Sequence, residues 1–174
     1  TSNSKGVNWD VTVPGAWLNT NHPSGSRVVL KNTVTPGTFS HDSADWAYSR
    51  VIEECADPRN PNTSLSRVVA DGIGKSVDGF RLKVDVSGQQ GSVLTMNGPW
   101  NSLCNYHVTL RSLFNDNQAV DKAVTYVNTT SFENIGETVT TESRYQETFV
   151  GTVSYREAGK VMLPSGPVET PLAS

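Results

Sequence analysis

The chain has 174 residues, of which 18% are charged and 36% are hydrophobic, and its formal net charge at pH 7 is −3. This length is typical of one domain, and the recurring apolar residues exclude an intrinsically disordered chain. The acidic balance argues against nucleic-acid binding through bulk charge, although a single basic face stays compatible with it. No apolar run approaches the roughly 18 residues of a membrane helix, and the N-terminus lacks the charged-then-apolar pattern of a leader.

Short alternating stretches between turn residues predict a mostly β chain. Val7 to Val13 predicts a first strand, and Arg27 to Val34 predicts a second strand that closes an N-terminal hairpin. From His41 to Cys55 the apolar spacing changes and loosely fits the stripe of a helix. Pro58 to Ser64 is expected to be a loop, because it is rich in turn-forming residues.

Three further stretches in the middle of the chain predict strands: Phe80 to Ser87, Asn105 to Arg111 and Lys122 to Thr130. Alternate side chains of a strand lie on opposite faces of the sheet, so each stretch has one apolar and one polar face. The predicted polar face collects a basic group that the net charge conceals. Its members are Arg81, Lys83, His107, Arg111 and Lys122.

The segment from Thr141 to Ala158 fits two structures. As a helix it has apolar residues at spacings of three and four, with Glu142 near its start and Gly159 as its stop. As a strand, its second half from Thr148 to Tyr155 alternates and contains β-branched residues. Capping and charge placement favour the helix.

Local motifs indicate neither an enzyme nor a cofactor or metal site. Two cysteines, Cys55 and Cys104, are too distant for C-x-x-C chemistry and too few for a disulfide scaffold, so the redox compartment stays open. Glu53 and Glu54 are adjacent, so they point apart and indicate a solvated face. The chain has no G-x-S-x-G motif. Three histidines match no local zinc pattern: His22, His41 and His107.

Four segments follow one another in an order found in a known family. Gly79 to Ser87 and Asn105 to Arg111 are two alternating strands, Tyr126-Val127-Asn128 lies in the next, and Thr140-Thr141-Glu142 begins the predicted helix. This order resembles the coat proteins of single-stranded RNA bacteriophages, the levivirus group. The Tyr-x-Asn of the last strand contacts an RNA hairpin in that family.

The resemblance implies an α+β, mostly β fold with an N-terminal hairpin, a five-stranded antiparallel sheet and a C-terminal helix that covers one face of the sheet in a dimer. The whole chain, 1–174, is then one domain, with the hairpin and loops in 1–40, the central strands in 79–130 and the helix in 140–159. It implies a capsid protein made in the cytoplasm of a bacterial host, an obligate dimer that assembles into an icosahedral virion shell around single-stranded RNA. No membrane partner is expected, and both cysteines should be free thiols or form bonds only after the particles leave the cell.

The resemblance also implies an RNA-binding surface on the inner sheet face, where basic groups contact phosphates and Tyr126 stacks on a base. The residues expected on this one face are Lys83, Asp85, Ser87, Asn105, His107, Thr109, Arg111, Tyr126 and Asn128. Two segments depart from the family pattern, namely the acidic stretch 41–61 and the long link 88–104.

Two alternatives remain open. The chain is also consistent with a secreted fimbrial or adhesin-type β-sandwich subunit, in which Val7 to Val13 is donated to a neighbouring copy and the two cysteines are bridged. A carbohydrate-binding β-sandwich is the third hypothesis, because four tryptophans could form a stacking platform. They are Trp9, Trp17, Trp46 and Trp100.

Overall fold

The computed structural model describes residues 6–22, 27–39, 46–86, 88, 91–113, 123–134, 137–148 and 156–162. None of these residues belongs to a helix with the length and apolar character of a membrane span. The elements are, in chain order, β1 (Gly6–Pro14), α1 (Gly15–Asn21), β2 (Val28–Thr35), β3 (Arg50–Asp57), β4 (Asn60–Asp71), β5 (Arg81–Val86), β6 (Gly91–Asn97), β7 (Cys104–Leu113), β8 (Ala123–Asn134), β9 (Glu137–Thr148) and β10 (Arg156–Met162).

The strands form two five-stranded sheets. Sheet A has the order β10-β1-β7-β3-β4, and sheet B has the order β5-β6-β2-β8-β9. Sheet B is antiparallel throughout, whereas sheet A contains one parallel pair, β1 with β10. At the edge of sheet A, the first eight residues of β4 are exposed.

The core lies between the two sheets. In β1 the inward residues Val7, Trp9 and Val11 are at most 1% exposed, and in β8 Tyr126 and Phe132 are equally buried. Residues from both sheets belong to one apolar cluster. Two sheets that pack their apolar faces together define a β-sandwich.

The predicted C-terminal helix, and with it the α+β class, is wrong. β9 pairs with β8 along its twelve residues, and β10 pairs with β1 in the other sheet. Within the predicted segment, residues 149–155 are outside the described residues, and residues 156–158 belong to β10. Val139, Thr140 and Thr141 are β-branched, and pairing with a neighbouring strand outweighs the capping features that favoured a helix.

The predicted N-terminal hairpin and the single sheet are also wrong. The first two strands form where the alternation predicts them, but β1 lies in sheet A and β2 in sheet B, with α1 between them. The segment predicted as helical contains β3 from Arg50 onward, while 41–45 are outside the described residues. The expected loop at Pro58 to Ser64 is mostly β4, and the link 88–104 contains β6.

The expectation of two free thiols is wrong as well. Cys55 of β3 and Cys104 of β7 are direct partners in the antiparallel register, with their Cα atoms 4.4 Å apart, and they form a disulfide. The two residues are 49 positions apart in the sequence, so only the strand pairing brings them together.

Candidate functional site

Four of the residues predicted to bind RNA lie together on the outer face of sheet A. They are Asn105, His107, Thr109 and Arg111 of β7, whose side chains alternate with the buried Tyr106, Val108 and Leu110. The alternation with a period of two therefore predicted correctly which side chains of β7 share a face.

The other predicted residues do not join them. Lys83 and Asp85 are exposed on β5, in the opposite sheet. Tyr126 and Asn128 are at most 1% exposed and face the core. Ser87 lies outside the described residues. The prediction of one common sheet face is therefore wrong.

Asn128 is buried because a distant amide satisfies it. The Asn32 side-chain nitrogen donates to the Asn128 side-chain oxygen at 2.7 Å and to the Thr130 hydroxyl at 2.7 Å. The Thr130 hydroxyl donates to the same Asn128 oxygen at 3.0 Å. Buried polar groups are tolerated when they are hydrogen-bonded in this way, so the polarity of a strand residue does not establish exposure.

His107 is the centre of a polar network on the outer face of sheet A. Its Nδ1 lies 3.0 Å from the Thr12 hydroxyl and 3.2 Å from an Asp10 carboxylate oxygen, both on β1. Its Nε2 lies 2.8 Å from a Glu54 carboxylate oxygen on β3, and Ser64 of β4 donates to the other Glu54 oxygen at 3.0 Å. The network thus ties four neighbouring strands together.

A hydroxyl, an imidazole and a carboxylate in contact resemble the parts of a nucleophilic site, but this arrangement lacks what such a site needs. Thr12 is only 3% exposed, so a substrate cannot reach its hydroxyl. The strands around it are paired on both sides, which commits their backbone amides to the ladder instead of an oxyanion hole. Asp10 and Glu54 contact opposite ring nitrogens, which also prevents them from sharing one metal ion with His107. The network supports a structural role.

Arg111 is engaged by neighbouring side chains. Its guanidinium carbon lies 3.1 Å from the centroid of the Tyr48 ring, and its Nε donates to Asn8 at 3.0 Å. A cation stacked on an aromatic ring is stabilised there, so its use in phosphate binding would require it to give up these contacts.

A cleft of about 640 Å³ opens at one end of the sandwich, and we call it the end cleft. It forms where α1, the β3–β4 pair and the loops that precede β5 and β7 come together. Its lining includes the charged residues Glu53, Arg67 and Asp78, which we call the charged wall, together with Asn19, Pro99 and Trp100. Concave sites with a few converging polar groups are the usual place of ligand binding.

The charged wall of the end cleft is an ion-pair network. Arg67 donates from Nε to Glu53 at 2.9 Å and from Nη1 to Asp78 at 2.8 Å. The hydrogen bonds to Asp78 and Glu53 raise the pKa of Arg67 above its ordinary value, so its charge is fixed. Glu53 is 8% exposed, whereas the Asp78 side chain is 66% exposed.

Tyr106 holds the buried side of the cleft in place. Its hydroxyl donates to Glu53 at 2.7 Å and accepts a hydrogen bond from the Asn101 backbone amide at 2.8 Å. Burial is the main cause that raises the pKa of this hydroxyl; the Asn101 amide partly opposes it, and the hydrogen bond to Glu53 adds to it. It therefore stays protonated and continues to donate at any physiological pH.

Trp100 is the aromatic residue of the end cleft. Its ring centroid lies 4.9 Å from Tyr106 and 5.8 Å from Phe80, so packing fixes the indole. Its Nε1 is buried and has no hydrogen-bond partner among the described residues. Trp9, Trp17 and Trp100 are at most 7% exposed, and Trp46 is partly buried against the core, so the predicted platform of exposed tryptophans is wrong.

Sequence reasoning missed the end cleft because its residues are far apart in the chain and match no local motif. It correctly separated Glu53 from Glu54, which lie on opposite faces of β3, but Glu53 is buried instead of solvated. Among the described residues, the one group spaced for metal binding is Glu53 with Cys55 and Cys104, whose sulfur atoms are joined in the disulfide. His41 is outside the described residues, so the three histidines cannot be compared as a set.

The fold and the site define a disulfide-bonded β-sandwich with a polar outer face and one charged end cleft. The family described as a domain of unknown function, DUF7926, matches residues 1–158, and the chain belongs to this family. Neither the curated proteins nor the solved structures contain a match.

Proposed function

We propose that the chain is an adhesin-type β-sandwich module of an extracytoplasmic protein, and that it acts by binding and not by catalysis. The observation that carries the proposal is the Cys55–Cys104 disulfide. Disulfides persist in secreted and surface proteins and are rare in the cytosol, where thiols are kept reduced. The end cleft supplies a place for a ligand, and the buried Thr12 supports a module without catalysis.

The module we propose does not donate its N-terminal strand. β1 pairs with β7 over nine positions, from Gly6–Leu113 to Pro14–Asn105, and its other edge pairs with β10. Donation of Val7 to Val13 to another copy would break both pairings and remove four core residues. The proposed module therefore shares the β-sandwich of a fimbrial or adhesin-type subunit but does not assemble by strand exchange.

The coat-protein function stays a prediction of the family resemblance. Its structural premise was an apolar sheet face that a helix from a dimer covers, and here the second sheet covers that face. RNA binding on one common face has likewise lost its geometric support. The sandwich hence favours the adhesin-type module.

The proposal is tested by the location and oxidation state of the protein in the cells that make it. Antibody labelling of intact cells, with alkylation of thiols before lysis, is followed by mass spectrometry of the Cys55 and Cys104 peptides. We expect surface labelling and a linked pair that is alkylated only after reduction. Protein confined to the cytosol, with both thiols alkylated without reduction, would overturn the proposal.

A further inference from the structure

We propose that Asn62 carries an N-linked glycan and that Asn128 carries none. The chain contains the acceptor motif for this modification, Asn-x-Ser/Thr with x other than Pro, at Asn62-Thr63-Ser64 and at Asn128-Thr129-Thr130. The proposal rests on the proposed function, because N-linked glycans are found on secreted and surface proteins. The two motifs are alike in sequence, and the fold distinguishes them.

Asn128 lies where the fold cannot accommodate a glycan. It is 0% exposed and belongs to β8, which pairs with β2 on one side and β9 on the other. Its side-chain nitrogen, to which a glycan would be attached, donates to the Asn32 side-chain oxygen at 3.3 Å. A glycan is bulky and hydrated, so its attachment there would disrupt the core and break this hydrogen bond. A correctly folded molecule is therefore unmodified at Asn128.

Asn62 lies in an irregular part of β4. In the β3–β4 ladder of the described chain, Asn60 and Ser64 have partners, whereas the three residues between them have none. The Asn62 backbone amide donates to the Asn60 side-chain oxygen at 3.3 Å, and the Thr63 hydroxyl donates to the Asn60 carbonyl at 3.0 Å. The motif therefore forms a local turn that bulges out of the ladder, which leaves its backbone accessible to a modifying enzyme.

The Asn62 side chain is accessible as well. Asn62 is exposed, and within the described part of the chain no hydrogen bond engages its side-chain nitrogen. β4 is the outer strand of sheet A, and its first eight residues are exposed. A glycan on Asn62 therefore extends into solvent and displaces no packed side chain.

The modification is a group transfer from a polyprenyl-diphosphate-linked oligosaccharide, the co-reactant that the proposal requires. The Asn62 side-chain nitrogen forms a bond to the anomeric carbon of the oligosaccharide, and the bond from that carbon to the diphosphate oxygen breaks. The polyprenyl diphosphate leaves with the bonding electrons, and the amide nitrogen gives up one proton to a base of the transferase. The Ser64 hydroxyl completes the motif that the transferase recognises.

The experiment is mass spectrometry of the oxidised protein, purified from the cells that make it. Trypsin cleaves after Lys and Arg, so Asn62 is recovered in the peptide 60–67 and Asn128 in the peptide 123–144. An amidase that releases N-linked glycans, used in H₂¹⁸O, converts a modified Asn to an Asp that carries ¹⁸O, and fragment spectra locate it. We expect the ¹⁸O label at Asn62 and not at Asn128.

Three variants made in the same cells test the motif. Ser64→Ala removes the motif while Asn62 stays, and we expect complete loss of the glycan. Ser64→Thr keeps a hydroxyl at this position and should keep the glycan. Ser66→Ala is the matched control, because Ser66 is also exposed on β4 but lies outside the motif. It should leave the fraction of glycosylated Asn62 unchanged.

The proposal is overturned if Asn62 is unmodified in surface-exposed, oxidised protein, if Asn128 is labelled too, or if the glycan persists in Ser64→Ala. Its failure is distinct from failure of the proposed function. A surface-exposed, oxidised protein without a glycan on Asn62 would keep the adhesin-type module and reject this modification site. A cytosolic, reduced protein would reject the module itself.

Discussion

His22 is 7% exposed, and its ring packs against Trp17 with the ring centroids 5.9 Å apart. Burial lowers the pKa of His22 below its ordinary value of 6.5, because the charged ring would lose its hydration. The unfolded chain therefore binds a proton near pH 6.5 that the folded protein does not bind. The stability associated with the neutral, buried His22 is therefore present above pH 6.5 and is lost as the pH falls below that value.

We expect the free energy of unfolding to decrease between pH 7.5 and pH 5.5, and to decrease less in His22→Phe, which keeps a ring against Trp17. Most carboxylates stay ionised in this window, since their ordinary pKa values are about 4. Urea unfolding at the two pH values measures the difference for each protein. Equal losses in the wild type and the variant would show that another group controls the pH dependence.

At the scale of single residues, the sequence correctly predicted the alternation of side chains along the strands. It was less successful in predicting which face of each strand is exposed to solvent. His107, Thr109 and Arg111 share one polar face of β7, as the alternation predicts, and this is the outer face of sheet A. Asn128 is in the core because Asn32, 96 residues away, supplies its hydrogen bond. A hydrogen-bond partner so distant in the chain cannot be predicted from the local sequence pattern. The neighbours of Glu53 and Trp100 in the end cleft are also distant in the chain and could not be predicted either.

At the scale of elements, the Cys55–Cys104 link closes a loop that spans 49 positions and includes β4, β5 and β6. Such a link restricts the unfolded chain, so we expect the double variant Cys55→Ala, Cys104→Ala to lose roughly 2–4 kcal/mol of stability. Denaturant unfolding under oxidising conditions measures this loss. The reduced wild type is the control and should match the variant, whereas a variant as stable as the oxidised protein would contradict the prediction.

β3 was predicted as part of a helix and β4 as a loop, whereas β1, β2, β5, β7 and β8 were predicted as strands because their apolar residues alternate. The C-terminal segment was predicted wrongly, because Glu142 and Gly159 fit a helix while the β-branched residues around them fit a strand. Pairing of β9 with β8 decides between the two, and it depends on a strand that lies earlier in the chain. The division of the strands between two sheets likewise cannot be predicted from the local sequence pattern.

For the molecule as a whole, both sheets contribute to one core, and a single chain thus buries its own apolar faces. We expect a folded monomer at micromolar concentration, in contrast to the obligate dimer that the coat resemblance implied. Sedimentation velocity, with circular dichroism of the same sample, tests this. A protein that is folded only as a dimer or a closed shell would contradict it and restore the coat hypothesis.

The exposed first part of β4 has a consequence for behaviour at high concentration. In the described part of the chain, Asn60 and the stretch Ser64 to Val68 pair with β3 on one side only, and an outer strand with unpaired backbone groups can recruit another molecule. Pro61 lacks an amide hydrogen, and the charged Arg67 is exposed on the same strand. These two residues interrupt the ladder that an incoming strand would need, so the sandwich resists edge-to-edge growth into ribbons even where many copies are crowded together.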